Sequence, residues 1–586
     1  MVDMKDTNNN LTNNEEISNS NESSFSRRKW LERVSVPAIA VIGASFLGNS
    51  AQPKEINSSV ETDDKMFGAQ VYNIKDFGAK GDGVTLDTAA VQAAIDQCNK
   101  ENGGTVMVPA GNFIIGTIEL KSNVTLYLSN QGKLLGSPRK EDYSAGKGVP
   151  PGNGNIVMIY AANADNVSIQ GRGTIDGNGK AFFTGQGDNT GPNSPGGGYF
   201  DRPHLLIFHK CNNLLLRDSF YTKSAYHCFR ILNCEQVNID GIKIYNRVNK
   251  NNDGFHFNNC KYVHIVNCDV RCQDDACALF GSNQFVTVTN CSFSTRWSIF
   301  RFGSGDAQNI AISNCLIYET YGCPIKISSG NARLENLTFS NIIMRNVTGP
   351  IGIGFSGRNN NANNAVAPTT PPQSTFVKNI IFNGIRATVV EKPINHPDIP
   401  FDVKVYPGEN LSCITMNALG DNYIENVSFT DIHVTYAGGG SKELAAKKDI
   451  PQRAQEYFTV WDPEPSGPVA YGMYARNVKG LTLHNVKFEF ENKEARPAII
   501  FDNVHDCSIS GLAIKGSKDA DCSIKFTTSS DVMISSARLT GEANVFLKLN
   551  GTKNSGIMLD GGDLRKATKA VAYENGATAT ALKVRI

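Results

Sequence analysis

The chain has 586 residues, of which 40% are hydrophobic and 19% charged, and its formal net charge is +1. Without an excess of either sign, the composition gives no argument for a nucleic-acid partner or for an acidic one. At roughly 150 residues per domain the length predicts about four domains. A solenoid lengthens without a new core, so the first question is whether the sequence repeats.

The N-terminal segment, residues 1–60, has the composition of a leader. Residues 1–24 are polar and rich in Asn, Ser and Glu, and they cannot bury enough apolar surface to order themselves. An Arg27-Arg28 pair follows, then a short apolar stretch that is too short to span a bilayer. We expect residues 1–60 to be a disordered leader with a twin-arginine signal, which exports the protein to the periplasm or beyond. The alternative is a disordered tail with an accidental arginine pair.

A helix is the first predicted element of the folded part, which we expect to span residues 67–586. Within residues 83–102, Ala89, Val91, Ala94 and Ile95 are spaced as on one side of a helix. The exposed end of a solenoid needs a cap. We therefore interpret this segment as an N-terminal capping helix.

A short alternating pattern then recurs along the chain. Copies start at residues 236, 262, 285, 309 and 336, so the steps are 26, 23, 24 and 27, and later copies start at 426, 480, 506 and 531. The segments alternate with period 2 and are rich in Val, Ile and Thr, which is typical of strands. A period of roughly 25 residues built from strands and turns predicts an all-β fold, a right-handed single-stranded parallel β-helix. An antiparallel sandwich is the alternative.

In such a helix, equivalent residues of successive coils stack into columns. Asn267, Asn290 and Asn314 form one expected column and the cysteines that follow them form the next. We interpret most of the fourteen cysteines as buried, reduced thiols, although one or two disulfides remain open. Two insertions, near residues 353–378 and 437–478, interrupt the repeat and are expected to shape a binding groove.

Three acidic residues form a candidate chemical cluster. Asp253 lies in an Asn-Asn-Asp-Gly segment, and Asp274 and Asp275 follow it after nearly one step of the repeat. The carboxyl groups should therefore lie on adjacent rungs. Inverting glycosidases use two carboxyl groups about 6.5–9.5 Å apart, and crowding raises the pKa of one of them. A solvated turn and a calcium site are alternatives.

Four segments of the chain resemble motifs of known proteins. Val71 to Gly83 is similar to the opening of pectin-active β-helix proteins, and Asn251 to Phe255 resembles an Asn-Thr-Asp-Gly motif. Asp274, Asp275 and Cys277 resemble Gly-Asp-Asp-Cys, and Arg202 to Leu206 resembles the start of the core that carries these motifs. Together they resemble glycoside hydrolase family 28, the polygalacturonases, and the resemblance is good over residues 70–350.

The resemblance implies roles for the aspartates and for one asparagine. Asp274 would protonate the glycosidic oxygen, Asp253 and Asp275 would hold and deprotonate the attacking water, and Asn251 would contact the substrate. It implies no metal and no cofactor. The expected partner is a polysaccharide or oligosaccharide, with no nucleic acid and no membrane after signal removal, and we expect a monomer.

Two family motifs are incomplete. Ser298 occupies the position of the histidine in Gly-His-Gly, and Pro324 occupies that of the arginine in Arg-Ile-Lys, while Lys326 is retained. Because an arginine is a bidentate carboxylate ligand and a lysine is not, the substrate need not be plain polygalacturonate. Positions 275, 301 and 326 are 26 and 25 apart. We therefore predict that Arg301 stacks between Asp275 and Lys326 and replaces the lost cation.

Three further side chains are candidates for the site. Trp297 suits stacking on a sugar ring, with a packing role as the alternative. His256 and His227 lie near the cluster in the phase of the repeat, and of these His256 is the candidate for substrate binding. A satisfied structural histidine is the alternative for each.

Three functions fit these residues. The first is a secreted glycoside hydrolase that acts on an acidic, pectic type of polysaccharide by an inverting, three-aspartate mechanism. The second is a calcium-dependent polysaccharide lyase with Arg301 or Lys326 as its base. The third is a catalytically inactive carbohydrate-binding β-helix, which the missing histidine at position 298 makes reasonable.

Overall fold

Each coil of the chain pairs with the coils before and after it, and all but one of the described strand pairs are parallel. In this computed structural model, Val237 lies opposite Val263, Val263 opposite Val286, and Val286 opposite Ile310. The described residues are 70–152, 154–182, 202–303, 305–330, 332–356, 375–396, 399, 408–447 and 467–585. Residues 66–586 form one compact unit. The expected parallel β-helix is confirmed, and the leader and signal expected within residues 1–60 lie outside the described residues.

Three parallel sheets, which we name A, B and C in chain order within a coil, run along the helix. Sheet A contains the strands Ile118–Glu119, Ile156–Ala162, His204–His209, Phe229–Leu232, Phe255–Asn258, Cys277–Phe280, Phe300–Gly303, Ile325–Ser329, Ile351–Phe355, Ile414–Ala418, Ile524–Thr527, Ala543–Asn550 and Ala567–Glu574. Strands Met473–Phe490 and Ile499–Ser510 begin in sheet A and continue around the next corner.

Sheets B and C complete each coil. The strands of sheet B are Val71–Asn73, Gly104–Val108, Val124–Leu128, Asp165–Gln170, Asn212–Arg217, Glu235–Asp240, Lys261–Val266, Asn283–Thr289 and Leu582–Arg585. The strands of sheet C are Asp82–Leu86, Gly111–Ile115, Gly132–Gly136, Thr174–Asp176, Phe220–Thr222, Lys243–Asn246, Asp269–Cys272, Ser292–Ser294 and Ala513–Ile514. Strands that bend from sheet B into sheet C are Ala307–Thr320, Arg333–Val347, Phe376–Val389, Ile424–Tyr436, Ser530–Leu539 and Ile557–Asp563. A short strand, Ser144–Ala145, pairs antiparallel with Ile156–Ala162.

The helices are short and peripheral. Helix α1, Thr88–Lys100, buries Val91, Ala94 and Ile95 against the first coils, as its apolar spacing predicts. Helix α2 is Lys442–Ala445, and its first turn is capped by the hydroxyl of Ser441, which accepts a hydrogen bond from the Leu444 N–H at 3.2 Å. The 3₁₀ turns are Ile74–Phe77, Lys140–Asp142, Gly179–Phe182, Glu409–Leu411 and Ala579–Ala581. None of the described helices has the length and apolarity needed to cross a membrane.

An asparagine ladder lies at the corner between sheets A and B. Asn336 donates to Asn309 Oδ1 at 3.0 Å, Asn379 to Asn336 at 3.4 Å, and Asn426 to Asn379 at 3.2 Å. These residues have φ between 53° and 58°, a left-handed conformation that asparagine tolerates better than most residues. The predicted column of Asn267, Asn290 and Asn314 instead lies at the next corner, and there Asn267 donates to Asp240 Oδ1 at 3.0 Å.

The cysteines are buried fillers, as expected. All fourteen are free thiols; thirteen are buried and Cys323 is intermediate. The Cys268 amide donates to Cys291 Sγ at 3.4 Å, which confirms that these two residues stack in successive coils. The disulfides left open by the sequence are therefore not formed.

The insertions are shorter than predicted, and one was missed. Strand Ile351–Phe355 extends into the first predicted insertion and Phe376–Val389 begins before its end; the part at 357–374 lies outside the described residues. Strand Met473–Phe490 begins within the second, where residues 448–466 are not described. Strands Phe376–Val389 and Ile414–Ala418 are also far apart in the sequence, and the repeat pattern did not reveal this spacing.

Candidate functional site

The three aspartates lie in turns that lead into neighbouring strands of sheet A. Asp253 precedes Phe255–Asn258, and Asp274 and Asp275 precede Cys277–Phe280, which pairs directly with it. Successive side chains of a strand point to opposite faces of the sheet. This alternation does not apply to Asp274 and Asp275, because both precede the first residue of the strand. The Asp275 N–H donates to Asp274 Oδ1 at 2.9 Å. The sequence prediction that all three stand on adjacent rungs agrees with this arrangement.

The turn that carries Asp253 is fixed by a buried amide. The side-chain oxygen of Asn252 accepts hydrogen bonds from the N–H groups of Val248 and Asn249 at 3.0 and 2.7 Å. Its nitrogen donates to the carbonyls of Ser224 and Tyr226 at 3.1 and 2.8 Å. These bonds of Asn252 therefore position the Asp253 backbone rather than a ligand.

Arg202 holds the same turn from the other side. Its guanidinium donates to the Lys250 carbonyl at 2.6 Å and to Asn251 Oδ1 at 3.0 Å. Asn251 in turn donates to Asp274 Oδ2 at 3.3 Å. Asn251, predicted to contact the substrate, thus connects the two acidic turns.

Two histidines face the Asp253 carboxyl group. His256 Nδ1 lies 3.1 Å from Asp253 Oδ2, and His227 Nε2 lies 3.7 Å from Oδ1. The two imidazoles stack with their centroids 4.9 Å apart. Burial lowers the pKa of His256 to about 4 and that of His227 well below its usual value, so both rings are neutral near pH 7.

This histidine pair also bears on metal binding. Across the described residues, one set of three brings ligand atoms within 4.8 Å of one another: His227, Asp253 and His256. Two imidazoles and one carboxylate suit a transition metal better than calcium, which prefers six to eight oxygens. The three aspartates do not form such a set in this part of the chain. The calcium site left open by the sequence therefore has no geometric support here.

Burial and mutual repulsion act on two of the carboxyl groups. Desolvation, followed by the charges of Asp253 and Asp275, holds the pKa of Asp274 well above its usual range. Desolvation and the charge of Asp275 likewise raise the pKa of Asp253, against the opposing effect of Arg301. Carboxyl groups in this environment retain protons at pH values where an exposed aspartate is ionised.

Two cations flank the aspartates on the next two coils. Arg301 lies opposite Lys326 in the register, and its Nε is 3.5 Å from Asp275 Oδ2. The residue opposite Arg301 on the other side is Ala278, not Asp275, so the arginine reaches back to the carboxylate. Burial, and next the charge of Arg301, lower the pKa of Lys326 to about 7. The expected stacking of Arg301 thus holds with Lys326, whereas its contact with Asp275 is diagonal.

The two family departures have structural consequences. Ser298 is fully buried, its N–H donates to Asp275 Oδ1 at 3.2 Å, and its hydroxyl donates to the Gly322 carbonyl at 2.8 Å. Ser298 therefore positions Asp275. The Pro324 carbonyl accepts from the N–H groups of Ile299 and Phe300 at 3.1 and 2.9 Å, which is a backbone role.

Trp297 lies in the bend before Phe300–Gly303, one coil beyond the acidic pair. The guanidinium of Arg296 stands 4.9 Å from the Trp297 ring, and Arg296 forms a buried ion pair with Glu409 at 2.8 Å. A Cβ on Gly322 would lie 3.0 Å from the ring. The indole is partly exposed but packed on one face, so both predicted roles remain compatible with its position.

The residues that sequence reasoning missed are mainly supports. Arg202 and Asn252 were seen only as parts of motifs, and Arg230 was not singled out. Arg230 lies opposite His256 in the register and donates to the carbonyls of Gly154 and Gly152 at 2.5 and 2.8 Å. The coil spacing could have revealed it, since Arg230 precedes His256 by the same step that separates position 236 from position 262.

Comparison with known proteins gives one family. Residues 98–398 match the model of the glycosyl hydrolases family 28, and this range contains the three aspartates, both histidines, Arg301 and Lys326. Polygalacturonase-2 of Solanum lycopersicum is 26% identical over 413 residues, which cover 67% of this chain and 85% of the relative. A polygalacturonase of Malus domestica is 26% identical over 333 residues, 55% of this chain and 69% of the relative. A family 28 exopolygalacturonase structure from Yersinia enterocolitica aligns with a TM-score of 0.48 and 19% identity, covering 76% of this chain and 75% of that one.

Proposed function

Because this chain belongs to the glycosyl hydrolases of family 28 and is a glycoside hydrolase, we propose that it cleaves an acidic, pectic type of polysaccharide with inversion at the anomeric carbon. The observation that carries the proposal is the juxtaposition of three carboxyl groups, two buried and one half-buried, with Arg301 and Lys326 on the next two coils. The carboxyl groups supply acid–base chemistry, and the cations supply attraction for a uronate.

Asp274 acts as the general acid in this proposal. Its raised pKa keeps a proton available for the glycosidic oxygen as the bond breaks. Asp253 and Asp275 orient the attacking water, and one of them accepts its proton. Water enters from the face opposite the leaving group, so a single displacement inverts the configuration.

The Asp253–His256 contact supports the proposed role of Asp253 in orienting the attacking water. A neutral imidazole 3.1 Å from Asp253 Oδ2 fixes the orientation of that carboxyl group. Asn252 and Arg202 hold the same turn through the backbone and Asn251. A group preorganised in this way needs little rearrangement during the reaction.

Arg301 and Lys326 bind the carboxylate of the substrate in this proposal. Arg301 is partly exposed and only diagonally paired with Asp275, so its other N–H groups are available to a ligand. Trp297, on the same side of the coil, offers an aromatic surface to a sugar ring. The missing arginine at position 324 is thus replaced one coil earlier.

The direct test uses a panel of polygalacturonate, rhamnogalacturonan and neutral and algal polysaccharides. New reducing ends and the absorbance of unsaturated products are followed together, with and without a chelator. Reducing ends that form without unsaturation, and that are insensitive to chelator, identify hydrolysis. Following the anomeric proton of the first product by NMR then distinguishes inversion from retention.

A lyase is the second candidate, because one observation favours it. Lys326 has a pKa of about 7, so near neutral pH a large fraction is uncharged and able to remove a proton next to a uronate carboxylate. Unsaturated products that disappear in Lys326→Met would establish this reaction. They would also make the acid role of Asp274 wrong.

Changing Arg301 to alanine is expected to raise the KM for an acidic substrate about tenfold or more, because a charge-assisted hydrogen bond to a carboxylate contributes about 1.5–3 kcal/mol. The KM for a reduced, neutral analogue should change much less. Arg271→Ala is the control, since Arg271 pairs with Asp269 on sheet C at 3.1 Å, away from the site. An unchanged KM on the acidic substrate would remove Arg301 from substrate binding.

The pKa of Lys326 predicts how substrate affinity depends on pH. Its lowered pKa means that the ammonium is charged below about pH 7 and neutral above it. KM for a polyuronate should therefore rise as the pH passes upward through 7, while the substrate stays ionised. In Lys326→Arg the charge persists, so the ratio of the two KM values should grow with pH; a constant ratio contradicts the assignment.

Export and assembly complete the proposal. We propose that residues 1–60 direct export through the twin-arginine route and that residues 67–586 act as a monomeric catalytic domain. The free, buried cysteines support this route, because it carries proteins that folded in a reducing compartment. Analysis of the exported protein by N-terminal sequencing and gel filtration tests both parts.

A further inference from the structure

The last coils carry a second cleft, separate from the aspartate cluster. It has a volume of about 790 Å³ and lies over residues of sheet A such as Tyr474, Asp502 and Lys525, with helix α2 forming one wall through Lys442 and Ala445. This volume falls within the range of about 300–1,000 Å³ typical of ligand sites. The cleft is therefore large enough for a sugar residue with its neighbours.

The register relates this cleft to the active site. The outward position of Lys326 continues, one coil at a time, through Gly352, Thr415 and Tyr474 to Ile500 and then to Lys525. Five steps of about 4.8 Å place Lys525 about 24 Å from Lys326 along the axis. The cleft and the active site thus occupy one face of the helix, several sugar residues apart.

In sheet A, between the cleft and the active site, outward-pointing side chains are buried. Thr415, Asn417 and Arg476, which point outward between the two sites, are all buried. The Arg476 guanidinium donates to Asn417 Oδ1 at 2.8 Å. The described residues that line the cleft include none of the three aspartates, Arg301 or Lys326, so the cleft is distinct from the aspartate cluster.

Two charged side chains that line the cleft, Asp502 and Lys525, are not paired directly with other side chains of the described residues. Asp502 and Lys525 are partly exposed, and within the described residues the side chain of neither forms a hydrogen bond or an ion pair. Arg476 lies opposite Asp502 in the register, and its charge lowers the pKa of Asp502 against the larger, raising effect of burial. By contrast, Lys518 at the edge of the cleft pairs with Glu542 at 2.9 Å. Charged groups that line a cleft without such direct partners are suited to an external ligand.

Amide side chains and further carboxylates, among them Asp519 and Asp521, also line the cleft. Asn544 and Asn550 line the cleft and are fixed by hydrogen bonds, Asn544 to the Lys518 carbonyl at 2.8 Å and Asn550 to Thr527 Oγ1 at 3.3 Å. Carboxylate and amide oxygens accept hydrogen bonds from hydroxyl groups, and an ammonium donates to a carboxylate. A ligand that offers both hydroxyls and a carboxylate is a uronic acid residue.

We propose that this cleft is a second binding site for a uronic-acid-containing polysaccharide, with Lys525 binding a carboxylate and Asp502 binding sugar hydroxyls. The identity of the ligand rests on the proposed function; the existence of the cleft does not. A polymer that occupies both sites gains from effective concentration, whereas a short oligosaccharide reaches one site at a time. The second site therefore raises the affinity for the polymer only.

The test compares the polymer with a short substrate in the full chain. Dissociation constants for polygalacturonate and for a galacturonate trisaccharide are measured by calorimetry in an Asp274→Asn background, which slows cleavage. Lys525→Gln and Asp502→Asn are each introduced, and Lys479→Gln is the control, because Lys479 is exposed on sheet B of a neighbouring coil. Thermal unfolding establishes that every variant is folded.

Lys525→Gln and Asp502→Asn should each weaken polymer binding about tenfold, leave binding of the trisaccharide in the active site unchanged, and differ from the control. Equal affinities for the polymer in all variants would overturn the second site. Loss of trisaccharide binding as well would overturn it too, because the effect would then come through the active site.

Failure of the proposed function gives a different pattern. Suppose that polygalacturonate binds in a Lys525-dependent manner but is not cleaved by the unmodified enzyme. That result would support the second binding site and would show that the substrate proposed for the active site is wrong. Binding of a neutral polysaccharide that depends on Asp502 but not on Lys525 would overturn the assignment of a uronate ligand.

Discussion

Replacing Asp274 with asparagine is expected to lower kcat on a polysaccharide by about 10²–10⁴-fold, the usual contribution of a general acid. The amide has nearly the same shape, and its single oxygen keeps one of the two contacts of Asp274, which accepts from the Asp275 N–H at Oδ1 and from Asn251 at Oδ2. It has no proton to transfer to the glycosidic oxygen. Initial rates from reducing-end formation measure the loss, and an unchanged thermal midpoint excludes unfolding as its cause.

Leaving-group dependence distinguishes the acid from the other two aspartates. With an aryl glycoside, whose phenolate leaves without protonation, Asp274→Asn should lose much less activity, while Asp253→Asn and Asp275→Asn should lose as much as on the polysaccharide. Asp269→Asn is the matched control, because Asp269 lies on the same coil but on sheet C, paired with Arg271. If Asp274→Asn keeps more than a tenth of the rate on polysaccharide, Asp274 is not the acid.

Replacing Arg496 with leucine is expected to destabilise the coils around it by about 3–5 kcal/mol. Arg496 and Glu494 form a buried ion pair, with Nη2 2.8 Å from Oε2 and with side chains that are 1% and 0% exposed. Arg496 Nη1 also donates to the carbonyls of Leu411, Pro468 and Ala470 at 2.8, 3.1 and 3.2 Å. The variant leaves the Glu494 carboxylate buried without its partner.

Hydrogen exchange of the amides in strands Ile414–Ala418 and Met473–Phe490 measures this loss locally, which suits a repeat fold whose stability is a sum over neighbouring coils. Arg565→Leu is the control, since its pair with Asp563 has an arginine that is 89% exposed, and exposed pairs contribute little. Arg496→Leu with Glu494→Leu should recover part of the stability. An effect below about 1 kcal/mol in the single variant would mean that water reaches Glu494.

The fold was predictable because a coil is a local pattern repeated. Period-2 alternation in segments such as residues 236–242 identifies strands. A spacing of roughly 25 residues with constant phase leaves few architectures other than a parallel β-helix. The same spacing placed Cys268 and Cys291 in one column. The long connection between strands Phe376–Val389 and Ile414–Ala418 was not predicted, because its sequence lacks the period-2 alternation that marks the coils.

The site was predictable in its residue types more than in its contacts. Motif order identified the three aspartates, but coils of unequal length made the register uncertain by a few positions. Counting placed Arg301 opposite Asp275, whereas the bend before the strand places it opposite Ala278. The supporting roles of Arg202 and Asn252 depend on chain segments one or two coils away, and spacing alone does not reveal such contacts.

Because the coils stack at a constant spacing, the distance between the active site and the second cleft is a whole number of coil spacings. Removing or adding one coil between Lys326 and Lys525 would shift the two sites by about 4.8 Å without altering either of them. The shortest polymer that spans both sites should therefore become longer or shorter with the number of coils between them. Related chains with different coil numbers would, by this logic, select different lengths of the same polymer.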